Sequence, residues 1–159
     1  MSTSSRKDIS VAELVTITPL VQHVDDRGLL CELLRADDPG VKWGQTYLVE
    51  SLVKGTVRGL HRHAETVDWF IITNGSAKFR FFDDDGNEQV VVTSDKKLCR
   101  IEVPCGVWHG WCSLEDNTMM ISIASEPYMG YGRTGQLDEE RIPYNHFDGD
   151  GDGWAVQPR

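Results

Sequence analysis

No apolar run in the sequence approaches the ~20 residues that a membrane-spanning helix requires. Residues Met1–Lys7 lack the apolar core of a secretory signal, so a cytoplasmic protein is expected. Positive charge is scarce: 16 Lys and Arg stand against 25 Asp and Glu, a formal net charge of −9. That deficit removes the basic face of a nucleic-acid binder and the attraction to an anionic bilayer, so neither is expected as a partner. Cysteine is sparse as well. Cys31, Cys99, Cys105 and Cys112 show no CxxC spacing, which argues against a disulfide framework and fits reduced thiols. Helical signals are few, and no internal repeat or Pro/Ser-rich linker divides the chain.

What is present reads as strands. The 159 residues, 40% of them hydrophobic, predict a single domain spanning 1–159. A chain this long buries roughly two-thirds of its unfolded surface without help from metal or disulfide. Strand-like runs recur at Val11–Ile17, Gly28–Leu34, Gln45–Leu52, Asp68–Thr73, Ala77–Phe82, Gln89–Thr93, Lys97–Val103 and Met119–Ser125. Asn74-Gly75 and Asp84-Asp85-Gly86-Asn87 carry hairpin chemistry between them. In Lys78-Phe79-Arg80-Phe81 the alternation predicts two inward aromatics. Short, evenly spaced strands of this kind predict an all-β sandwich or jelly-roll barrel. Helix is expected only in short pieces near Val11–Leu14 and Leu137–Arg141. Residues 1–8 read as disordered and 146–159 as a C-terminal tail. Asp148-Gly149-Asp150-Gly151-Asp152-Gly153 imitates the start of a calcium loop, but Arg159 stands where an EF-hand needs its bidentate Glu, so a flexible acidic turn is expected. Asp83-Asp84-Asp85 reads as a solvated hairpin tip, and His23 and His146 as surface residues.

The remaining three histidines fall in two compact segments. Gly55-Thr-Val-Arg58-Gly59-Leu60-His61-Arg62-His63 is followed by Asp68 and Gly75; the second is Pro104-Cys105-Gly106-Val107-Trp108-His109. Residues two apart on a strand face the same side, so His61 and His63 point together. With His109 and Asp68 from neighbouring strands they would line a pocket inside a small barrel. The set His61, His63, Asp68 and His109 also suits a divalent transition metal such as Fe(II), Mn(II), Ni(II) or Zn(II). The joint spacing resembles the two sequence motifs of the cupin superfamily, with Asp68 where Glu is usual and Ser113 where Asn is common. That resemblance implies a double-stranded β-helix with its site in the barrel mouth.

A sharper resemblance spans most of the chain. Asp26-Arg27-Gly28-Leu29-Leu30-Cys31-Glu32, Gln45, Gly55-Thr-Val-Arg58-Gly59-Leu60-His61, Val103-Pro104-x-Gly106-x-x-His109-Gly110, Tyr128 and Arg141-Ile142-Pro143-Tyr144-Asn145 occur in that order. Together they resemble the dTDP-4-dehydrorhamnose 3,5-epimerase family, a branch of the cupins. The resemblance implies a homodimeric isomerase of deoxysugar and carbohydrate biosynthesis. Its substrate would be a nucleoside-diphosphate 4-keto-6-deoxyhexose, dTDP-linked, inverted at C3 and/or C5 with no cofactor required. His61 would be the base and Tyr128 the acid. Arg58 would contact the sugar diphosphate, and Arg27, Glu32, Gln45 and His109 would complete the binding site. Strands exchanged across the dimer would carry Arg27 and Glu32 to the partner's pocket. Trp69, Trp108 and Tyr47 are candidates for stacking on base or sugar. The sequence departs from the family at Asp68 and His63, near positions that hold Lys and Gln in its epimerases. It also ends before the usual Asp that orients the catalytic His; Asp148, Asp150 and Asp152 are candidate substitutes. Two further readings stand beside this one: a metal-dependent cupin, isomerase or oxygenase, and a non-catalytic sugar-binding barrel.

Overall fold

The computed structural model describes residues 13–143 and Trp154. Turn-forming residues cut the chain into short extended pieces, and twelve strands form among the described residues. They are β1 (Thr16–Pro19), β2 (Gln22–Asp25), β3 (Gly28–Cys31), β4 (Gln45–Ser51), β5 (Val57–Arg62), β6 (Asp68–Asn74), β7 (Ser76–Phe82), β8 (Glu88–Ser94), β9 (Cys99–Val103), β10 (Trp108–Ser113), β11 (Thr118–Ala124) and β12 (Glu140–Arg141). One five-stranded sheet has the order β1-β9-β6-β11-β4, and a second the order β12-β5-β10-β7-β8. All pairings are antiparallel. Strands β2 and β3 form a separate hairpin.

The core lies between the two sheets. Phe70, Ile72, Ile101, Val103 and Met120 from the first sheet meet Ala77, Phe79, Phe81, Val91 and Trp111 from the second. The predicted alternation in β7 holds: Phe79 and Phe81 are fully buried in this core. The continuous apolar run of β6 has a different cause. Phe70 and Ile72 face the core, whereas Trp69 and Ile71 face outward beneath Leu20, Leu33, Leu34 and Val41. A strand covered on both faces needs no polar side. The turn at Gly75, with φ +74°, joins β6 to β7, and the turn around Gly86 joins β7 to β8.

Two expectations are corrected. Leu137–Arg141 forms no helix, because Glu140 and Arg141 pair with Arg62 and His61 on β5 as β12. The Val11–Leu14 helix is absent where it can be judged: Glu13 and Leu14 are irregular, and the first strand begins at Thr16. Residues 1–8, the calcium-like run 148–153 and the substitutes Asp148, Asp150 and Asp152 lie outside the described residues. Of the expected tail, Trp154 is described; it is buried against Leu60 and Cys112. Among the described residues no helix is long and apolar enough to cross a membrane.

Candidate active site

Strands β5 and β10 are neighbours, and their register sets His61 directly opposite His109. His63 follows β5 by one residue and joins them. The ring centroids lie 4.9 Å apart for His61–His63, 4.5 Å for His61–His109 and 5.6 Å for His63–His109. Asp68 opens β6 and sits buried beneath the group, its Oδ2 at 3.3 Å from His63 Nε2 and 3.6 Å from His109 Nε2. The three histidines the sequence singled out are therefore one cluster, and Asp68 touches two of them.

Counting donors defines the cluster's charge. His63 Nδ1 bonds the carbonyl of Asp138, and His109 Nδ1 bonds that of Val107 at 3.0 Å. A carbonyl accepts only, so both Nδ1 atoms carry hydrogen and each neutral ring would present a bare Nε2 to the Asp68 carboxylate. A proton or a cation must sit among these three atoms, and a proton on His63 makes an imidazolium–carboxylate pair. Burial alone would lower the His63 pKa, but the Asp68 contact and the Asp138 carbonyl outweigh it and hold it above the ordinary value. His109 is lowered, chiefly by its complete burial. For His61, burial first and then His109, His63 and Arg141 push the pKa down to about 2. His61 is thus a neutral imidazole beside the His63–Asp68 ion pair.

A carboxylate that the sequence reading missed completes the arrangement. Glu139 is almost entirely buried, with its Oε1 at 3.1 Å from His61 Nδ1 and paired with the Arg141 guanidinium. The His61–Glu139 approach is at ion-pair distance but off the line of a hydrogen bond, and neither carboxylate oxygen has another hydrogen-bond partner among the described residues. Its position follows from its neighbours. The Asp138 carboxylate accepts from the backbone N–H groups of Ala64, Glu65 and Thr66 and from the Thr66 hydroxyl. Glu140 bonds Arg62. Residues 138–141 are zipped against 61–66, and Glu139 is carried in between. The run Asp138-Glu139-Glu140-Arg141 was visible as a charge cluster, but only strand pairing shows which carboxylate turns inward.

The cluster opens into a cavity of about 550 Å³ lined by His61, His63, His109, Tyr128, Gln45 and Arg58. Arg133, Glu139, Arg141 and Tyr47 line it too, with an apolar floor of Val49, Phe70, Trp111 and Met120. Gln45 Oε1 accepts from the backbone N–H of Tyr128 at 2.9 Å, fixing the segment that carries the phenol. Arg58 donates to Ser51 Oγ and the Glu50 carbonyl. Two-fifths of Tyr47 is exposed, yet burial of its hydroxyl, then the Asp68 carboxylate, push its pKa up to about 12. A second cavity of about 470 Å³ adjoins it, and His63 and Glu139 line both.

Other candidates lie elsewhere. Arg27 pairs with Asp25 and Glu32 with Arg35, both on the surface and away from this chain's cavity. Trp69 is buried on the outer side of the first sheet, and its indole donates to Glu102. Trp108 stacks on Phe82 under the Arg62 guanidinium. Neither tryptophan lines the cavity, and packing accounts for both. His23 is exposed on β2 as expected. Asp84, at the hairpin tip, accepts from Arg62 and Trp108 and so anchors that tip to the sheet.

Residues 23–130 match the family model described as the polysaccharide biosynthesis C-terminal domain. The spore coat polysaccharide biosynthesis protein SpsL of Bacillus subtilis (strain 168) is 28% identical over 138 residues, covering 82% of this chain and 89% of that one. Among solved structures, the 3'-monoepimerase ChmJ from Streptomyces bikiniensis, in complex with dTDP-quinovose, superposes with a TM-score of 0.73. It is 18% identical, over 95% of this chain and 81% of its own. The sugar 3,4-ketoisomerase QdtA from Thermoanaerobacterium thermosaccharolyticum, in complex with TDP, has a TM-score of 0.67. It is 22% identical, over 86% of this chain and 93% of its own. At these identities the structures carry the fold, and the expected cupin jelly roll is met.

Proposed function

The chain belongs to the polysaccharide biosynthesis C-terminal domain family, and from that premise we propose that it is an isomerase of nucleotide sugars in carbohydrate biosynthesis. The substrate is a nucleoside-diphosphate 4-keto-6-deoxyhexose, dTDP-linked, epimerised at C3 and/or C5. One observation carries this reading: a neutral buried imidazole, a phenol and three arginines line one cavity beside a His–Asp ion pair.

The C–H bonds next to a ketone are acidified because deprotonation gives an enolate. His61 takes that proton on Nε2, and the Glu139 carboxylate at Nδ1 stabilises the imidazolium as it forms. Tyr128 returns a proton to the carbon from the wall contributed by the first sheet. The His63 imidazolium, held by Asp68, stands toward the enolate oxygen in place of the Lys that the related epimerases hold. Arg58, Arg133 and Arg141 supply forked donors for the diphosphate. Proton transfer between carbon acids needs no redox cofactor.

The protein works as a homodimer. The β2–β3 hairpin exposes Val24 and Leu29 on one face and Leu30 on the other, apolar surface that a second copy would cover. Arg27 and Glu32 flank that hairpin and serve the partner's pocket. The free thiols at Cys31, Cys99, Cys105 and Cys112 fit a reducing compartment, and the proposal places the protein in the cytoplasm.

The test is solvent-deuterium incorporation at C3 or C5 of a dTDP-4-keto-6-deoxy sugar, followed by NMR. Exchange should occur with the native protein and vanish in His61→Ala. Absence of exchange with every such sugar nucleotide sinks the reading, and tight dTDP binding without exchange marks a sugar-binding barrel instead.

A second reading rests on the convergence of the histidines. Nδ1–H bonds to backbone carbonyls leave Nε2 of His63 and His109 aimed at Asp68 Oδ2, and nitrogens of all three histidines lie within 4.8 Å of one another. His61, His63, Asp68 and His109 fit a divalent transition ion, which would act as a Lewis acid toward the keto oxygen. Stoichiometric metal in tag-free protein, with activity lost to chelators, would establish it.

A further inference from the structure

Residues alternate faces along a strand, so two residues three apart point to opposite sides. Arg58 and His61 are three apart on β5, yet both line the same cavity. The pairing with β10 explains this. His61 stands opposite His109 and Gly59 opposite Gly110, so Leu60 is one residue more than the partner strand has. It forms a β-bulge that shifts the parity of the strand.

Leu60 adopts φ +58°, in the left-handed region where a bulky side chain is sterically penalised. Glycine or asparagine would sit there with less strain, so what leucine contributes is its side chain. That side chain is completely buried on the outer face, against Cys112 and Trp154 with Val57, Phe82 and Ile142 around them. The space around the bulge leaves little freedom. A Cβ on Gly59 would meet Gly110 Cα at 2.9 Å, and one on Gly110 would meet Leu60 N at 2.9 Å. The Leu60 carbonyl accepts from Ile142 N–H, which ties the bulge to the seam with β12.

We infer that Leu60 is a positioning residue: its side chain, anchored on the outer face, holds a strained bulge that turns Arg58 and His61 into one cavity. The inference rests on the proposed function for its catalytic meaning, but the geometry it asserts stands apart from any substrate. Without the bulge, His61 stays opposite His109 while Arg58 turns to the outer face. The diphosphate handle and the base are then no longer in one pocket.

Three variants test this with thymidine diphosphate as the binding probe and deuterium exchange as the activity. Leu60→Met, which keeps the anchor, should match the native protein within about threefold. Leu60→Gly, which relaxes φ but removes the anchor, should weaken thymidine diphosphate binding at least tenfold. Arg58→Ala should weaken binding at least tenfold in the native background and add almost nothing to Leu60→Gly, since both remove the same contact. An Arg58→Ala effect of equal size in both backgrounds overturns the inference, as does native-like binding by a folded Leu60→Gly. If the native protein neither binds the nucleotide nor exchanges, the proposed function fails. The crystal structure of Leu60→Gly then decides this inference alone. Arg58 on the outer face of β5 supports it, and Arg58 still in the cavity overturns it.

Discussion

A histidine that is buried against two others and an arginine loses its proton far more readily than one in water. His61 is in that position, and two consequences can be measured. Its pKa is pushed down to about 2, so the free protein keeps a neutral base well into acid. The kcat/KM profile should therefore show no downturn at the ordinary histidine value of about 6.5; a clear loss of activity centred there would contradict the placement. Stability responds too. The unfolded His61 binds a proton below about 6.5 and the folded one does not, so stability falls as pH drops from 7. The cost reaches about 2 kcal/mol at pH 5 for a single histidine held neutral. Denaturant titrations of native protein and His61→Asn at pH 7 and pH 5 should differ by that amount. Glu139→Gln removes the charge that stabilises the imidazolium, and the exchange rate should fall on the order of 10²-fold, with nucleotide affinity nearly unchanged. Of this group His61, His63, Asp68 and His109 were legible in the sequence, because their spacing forms two motifs, one across β5 and β6 and one entering β10. Glu139 was hidden. It lies 78 residues from His61 among three other charged side chains, and nothing local distinguishes it from Glu140, which turns outward to Arg62.

At the scale of elements, the site depends on one seam. β12 is two residues long and would not persist by itself. It is held because Asp138 caps the 64–66 backbone and because Glu140 and Arg141 pair with β5. Asp138→Ala removes four hydrogen bonds, each worth about 0.5–1.5 kcal/mol net. Thermal unfolding should show a loss of a few kcal/mol, and amide exchange at Ile142 should quicken before that of the core strands. Faster exchange throughout the molecule would mean instead that the seam is part of the main cooperative unit. Sequence periodicity described the long strands well, since β6, β7 and β11 carry enough apolar residues to declare a face. It failed at Leu137–Arg141, where polar residues suit a helix and only the waiting edge of β5 makes them extended. The hairpin β2–β3 was read in part, as the run Gly28–Leu34, because its first strand, Gln22–Asp25, is largely polar.

At the scale of the whole molecule, the net charge of −9 repels a diphosphate at a distance. On the proposed reading, binding comes from arginines lining the cavity, above all Arg58, Arg133 and Arg141. The long-range repulsion is screened first, so raising salt from 50 to 500 mM should weaken thymidine diphosphate binding only slightly if at all. Arg58→Ala should weaken binding at both salt concentrations; native affinity in the variant would remove Arg58 from the anion site. Composition argued against polyanion partners but carried no information about this local gathering of arginines, which only the fold assembles.

The two cavities meet at His63 and Glu139, which line both of them. These two side chains are the boundary that the cavities share. A small residue at position 139 would thin that boundary. On the proposed reading, a sugar nucleotide in the first cavity would then be less well sealed, and an enolate formed there would be open to water from the second.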